Sequence, residues 1–66
     1  MIAITAEFKG CKYLVAYGFT NFPKAEKEAR EFARQHPNAG VYIADRQAHV
    51  DGCLTLVEFQ EAYFSA

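Results

Sequence analysis

The stretch "HVDGCLTLVEF", His49 to Phe59, holds the residues of this chain whose types and spacing come nearest to metal chemistry. With Gly52 at the sixth position of an EF-hand loop, Asp51 falls fifth, Leu54 eighth and Glu58 twelfth, and Phe59 follows directly. The first and third positions, where a hard cation needs oxygen ligands, are then Gln47 and His49, so half the coordination sphere is missing. The preceding "GVYIAD" is β-branched and aromatic where a calcium loop needs an amphipathic helix. Asp-Gly between apolar runs is also the strongest short hairpin signal, and the sequence favours that reading over calcium.

Other chemistry-bearing residues are sparse. His36 and His49 have no third ligand or nucleophile at a productive spacing; His36 reads as a cation at a helix C-terminus and His49 as a solvated hairpin residue. Asp45 and Glu58 would face each other across a hairpin, which resembles a carboxylate pair, although a solvated strand surface explains them more simply. Cys11 and Cys53 form no CxxC pair and read as reduced, small and half-buried. No glycine-rich phosphate loop and no nucleophile elbow occurs. Lys27, Arg30 and Arg34 make a basic stripe at helical spacing, interleaved with Glu26 and Glu31. The sequence therefore predicts no catalytic residue, no metal and no cofactor.

The elements that would position these residues follow from periodicity. A two-residue turn at Lys9-Gly10 sets Phe8 opposite Cys11 and Glu7 opposite Lys12. That register places Ile2, Ile4, Phe8, Tyr13, Val15, Tyr17 and Phe19 on a core face, with Ala3, Thr5, Leu14 and Ala16 on the other. "TNFPKAEKEAREFARQHPNAG" is a helix, capped by Thr20 or Asn21 and stopped at "HPNAG". Phe22, Ala25, Ala29, Phe32, Ala33 and His36 lie on its apolar face, and Glu26–Arg30 and Lys27–Glu31 stand four apart.

A second hairpin is expected from Val41, turning at Asp51-Gly52 and returning to about Glu61. Residues 52–59, "GCLTLVEF", echo residues 10–17, "GCKYLVAY", which favours two similar hairpins. Residues 54–64 could instead be helical, but their polar residues scatter on a helical wheel, so strand is preferred. The predicted fold is a single α+β domain over residues 1–66 of β-β-α-β-β order: a small antiparallel sheet with one helix.

Composition bounds the function. At 66 residues the chain is one domain, and 52% hydrophobic residues with six Phe and four Tyr are ample for a core. A net charge of −1 argues against nucleic acid as the main partner. No apolar run spans a membrane and "MIAITAEFKG" lacks a signal-peptide pattern, so a soluble, cytoplasmic protein is expected. One helix covers one sheet face, leaving Leu14, Val41, Ile43, Leu54 and Leu56 on the other. That is more apolar area than a monomer exposes in one patch, so a partner or a second copy should cover it, unless the second hairpin folds over it.

In size, single-domain economy, lack of catalytic motif and surplus interface, the chain resembles the small accessory proteins of bacteriophages, among them anti-CRISPR and other anti-defence inhibitors. The resemblance lies in physical character. Neither "GCxxLV" nor "NFPKAEKEAREFARQHPNAGVY" matches functional residues of those families, and none is carried over. It implies a non-enzymatic, self-associating binding protein that occupies a surface of a larger host protein or complex in the host cytoplasm. The candidate binding residues come from the chain itself: Leu14, Ile43, Leu54 and Leu56 of the surplus apolar face, with Lys27, Arg30 and Arg34 of the basic stripe. The alternatives are a nucleotide-signal sponge at a dimer seam, using the basic stripe twice by symmetry, and a small RNA-binding module.

Overall fold

The computed structural model describes residues 1–65. Strands β1 (Ile2–Phe8) and β2 (Cys11–Phe19) form the expected hairpin, with Phe8 opposite Cys11 and Glu7 opposite Lys12. Both turn residues take positive φ, 52° at Lys9 and 79° at Gly10. A two-residue turn of that hand matches the right-handed twist of its strands.

The register then departs from simple alternation. Thr5 pairs with Leu14 but Ile4 with Ala16, so Val15 is an extra residue, and a second shift follows before Ile2 meets Phe19. Such bulges bend the strand and re-aim what lies beyond. Ala16 is brought to the Ile4 side, and Tyr17, expected in the core, turns to the Ala3 side and is 71% exposed.

Helix α1 (Phe22–Gln35) begins where its cap predicts: the Asn21 side chain accepts from the Lys24 N–H at 3.0 Å, and Pro23 sits in the first turn, where no helical bond is lost. Ala25 and Ala29 are buried and let the helix lie close on the sheet, while Phe22 stays half exposed. The anticipated pairs four residues apart do not form. Arg34 reaches Glu31 instead, the only ion pair among the described residues.

β3 (Gly40–Ala44) lies antiparallel on the free side of β1, giving the order β2-β1-β3. Because β3 takes its register from β1, with Tyr42 opposite Thr5, the face assignment is the reverse of that expected. Val41 and Ile43 share the helix side with Ala6 and Ile4, and Tyr42 and Ala44 share the opposite side with Thr5 and Ala3.

Among the described residues there is no second hairpin. After β3 a 3-10 turn (Gln47–His49) carries the chain across the Ala3 side of the sheet, where Val50 packs with Ala3, Ala44 and Leu14. Asp51-Gly52 is a turn, with Gly52 at φ 79°, but it delivers the chain to the outer edge of β2. There Leu54 donates to the Lys12 carbonyl at 2.9 Å and accepts from the Leu14 N–H at 2.8 Å, forming a short parallel bridge. Helix α2 (Leu56–Phe64) follows, where a strand was expected. Thr55 and Glu58 cap it reciprocally. The Thr55 Oγ accepts from the Glu58 N–H at 3.2 Å, and the Glu58 carboxylate accepts from the Thr55 N–H at 3.0 Å. The order is thus β-β-α-β-α, a three-stranded antiparallel sheet with two helices.

Phe59, fully buried on α2, closes the core against Ala6, Phe8 and Tyr13, with Phe32 of α1 and Tyr63 around it. Its ring lies 5.3 Å from Tyr13 and 5.4 Å from both Phe32 and Tyr63. Burying a ring of this size contributes about 1.5–3 kcal/mol. His36 belongs to the same cluster rather than to the solvent. It is 9% exposed, stacks on Phe32 at 4.2 Å, and donates from Nδ1 to the Phe32 carbonyl at 2.9 Å.

Candidate functional site

The bridge between Leu54 and β2 creates a groove of about 450 Å³, lined by β2 residues 14–17 and by residues 53–56. Each wall has a local cause. The Val15 bulge turns Tyr17 outward at one end, the Leu54 bridge holds the opposite wall against β2, and the capping of α2 fixes Leu56 at the far side. Leu14 and Leu56 are half-buried and Leu54 is 38% exposed, so the groove already has an apolar floor before anything binds.

Two of its polar side chains are occupied. Thr55 is bonded to Glu58, and the Cys53 thiol lies 3.7 Å from the His49 carbonyl. These hydrogen bonds from Thr55 hold the Glu58 carboxyl below its ordinary range. Nearby, burial pushes the Tyr13 hydroxyl up, with the Cys11 thiol adding to the effect. The walls present no acid, base or oriented nucleophile; what they can do is take up an apolar side chain and exclude water from it.

Of the apolar residues expected to bind, Leu14, Leu54 and Leu56 come together in this groove, although Leu54 and Leu56 arrive from a bridge and a helix rather than from strands. Ile43 does not join them. It lies on the other side of the sheet, beside α1, in a second groove of about 410 Å³ that also holds Val41, Glu26 and Arg30. Lys27, Arg30 and Arg34 are all exposed on α1. Arg34 is engaged with Glu31, whose carboxyl is lowered chiefly by that hydrogen bond, and Gln35 bonds the same carboxylate at 3.2 Å. The stripe is therefore reduced to Lys27 and Arg30.

Asp45 and Glu58 do not form a pair. Asp45 borders a small depression with Lys12, Tyr42 and His49, whereas Glu58 is committed to its cap. Gln47 and Asp51, both placed in the calcium frame, bond each other at 2.8 Å, and the described residues contain no group of three or more His, Cys, Asp or Glu able to hold a metal ion. Cys11 is exposed, not half-buried, because it sits at the hairpin turn. Periodicity missed Tyr17 and Cys53 as groove residues: the bulge reversed the first, and the parallel bridge placed the second.

No helix among the described residues is long and apolar enough to cross a membrane. Comparison with protein-family models, curated proteins and solved structures finds no match.

Proposed function

We propose that the protein is a non-enzymatic binding module that docks through the groove beside β2 onto a larger protein, in the manner of small phage inhibitors of host defence. The observation that carries this reading is the joining of Leu14, Tyr17, Leu54 and Leu56 in one apolar groove with Tyr17 71% exposed at its end. Binding energy concentrates in a few aromatic and aliphatic anchors of this kind. Leu54→Glu and Tyr17→Ala change exposed side chains and should leave the far-ultraviolet circular dichroism unchanged. Each should abolish, or weaken at least tenfold, binding to a partner isolated with the wild-type chain. Undiminished binding by both variants overturns the reading.

The nucleotide-sponge reading keeps one supporting observation, Arg30 at the second groove, but Glu26 shares that groove and Arg34 is paired elsewhere. It requires a thermal shift on adding nucleotides, which a protein-binding module would not show. An RNA-binding module has less support still, since the basic stripe is broken by Glu26 and Glu31.

A further inference from the structure

The two outer edges of the sheet are treated differently. β2 spends its outward groups at Lys12 and Leu14 on Leu54, whereas β3 has no strand beyond it among the described residues. Which groups β3 leaves free follows from alternation along the strands. Because Lys12 and Leu14 bond outward, Tyr13 bonds inward to Ala6, so Thr5 turns to the other side and bonds Tyr42. Val41 and Ile43 therefore point their N–H and C=O groups out of the sheet. The strand "GVYIA" has no proline, lysine or bulge, the usual devices that keep an edge from pairing.

The groove above this edge is lined by Glu26, Ala29, Arg30 and Ala33 of α1 and by Val41, Tyr42 and Ile43 of β3. It runs from Glu26 to Ala33 along the helix and is centred on Tyr42 in the strand. A two-fold axis that passes through Tyr42 and crosses α1 level with Glu28 serves both elements at once. It lets Val41 exchange its main-chain bonds with Ile43 of a second copy, lays the two α1 helices antiparallel, and brings Glu26 of each against Arg30 of the other. The small Ala29 and Ala33 permit that close approach. Glu26 and Arg30, which form no ion pair among the described residues, become a self-complementary couple, as an isologous interface requires.

We infer that the β3 edge and the facing side of α1 are the interface for a second copy of this chain, forming a continuous six-stranded sheet about a two-fold axis at Tyr42. The surface is distinct from the groove beside β2, so dimerisation and partner docking can fail independently.

Sedimentation equilibrium of the wild-type chain should give a dimer, weakened by 1 M salt. Glu26→Arg and Arg30→Glu, both at exposed positions, should each weaken self-association about tenfold or more, since two symmetric contacts turn from attraction to repulsion. Mixing E26R with R30E chains should restore association as a heterodimer, because each chain then offers the charges the other lacks. A wild-type chain that stays monomeric at millimolar concentration overturns the inference. So does a dimer that both reversals leave intact, or a mixture of the variants that yields no heterodimer.

Discussion

Residues 10–17 and 52–59 share Gly, Cys, Leu, Val and a closing aromatic at matched positions, yet one is an edge strand and the other becomes a helix. They start alike. Gly10 and Gly52 both hold φ at 79°, and each is followed by a cysteine. They part at the fourth residue, where Tyr13 continues a ladder with Ala6 and Thr55 opens a capping box with Glu58. Two side chains outweigh five matched positions. A cap supplies hydrogen bonds to a helix start locally, whereas a strand needs a neighbour, and the outer edge of β2 offered Leu54 only a brief bridge.

The closing aromatics give the sharpest test. Phe59 is fully buried and Tyr17, its counterpart, is 71% exposed. Phe59→Ala should cost about 3–5 kcal/mol. That is much of the total stability of about 3–10 kcal/mol for a chain of this length. Tyr17→Ala should stay within about 0.5 kcal/mol. Urea unfolding of the two variants checks this, and similar losses in both would break the comparison.

The shared glycines should behave alike. Nothing lies within 4 Å of a Cβ placed at either, so Gly10→Ala and Gly52→Ala meet no clash and pay only for the left-handed backbone. Each should lose about 1–2 kcal/mol by thermal or urea unfolding. Unequal losses would mean that one turn relaxes where the other cannot.

The cap has a smaller effect than the glycines and a more diagnostic one. Thr55→Ala should cost about 1 kcal/mol and reduce helical circular dichroism. The Glu58 carboxyl is held below its ordinary range in the folded chain, so it binds its proton less readily than in the unfolded chain. Its contribution is present above the ordinary carboxylate range and is lost as pH falls through the lowered folded value. In Glu58→Gln that part of the acid destabilisation should be missing from the pH dependence of unfolding.

Much of the fold was legible in the sequence. The Lys9-Gly10 turn, the Asn21 cap and the alanine face of α1 all follow from local rules, and all are present. The C-terminal half was harder. The polar residues Thr55, Glu58, Gln60 and Glu61 scatter around α2 because that helix buries chiefly Phe59 and leaves most of its surface to solvent. The Thr55-x-x-Glu58 pattern was the signal that could have corrected this. The faces of β3 could not be read from its own alternation, since both parities are apolar and only pairing with β1 decides between them. The Val15 bulge has no local mark beyond the nearby Gly18. Of the candidate site, three leucines were legible as surplus apolar surface; that they meet while Ile43 does not was a matter of topology.

The place of Phe59 after every other ring of its cluster but Tyr63 bears on how the protein is made. Its ring joins a cluster drawn from β1, β2 and α1, so the ribosome must pass residue 59, and release it from the exit tunnel, before that core can close. At about 5–20 residues per second the nascent chain spends seconds with Phe8, Tyr13 and Phe32 unsheltered, the interval in which chaperones engage or neighbouring chains stick.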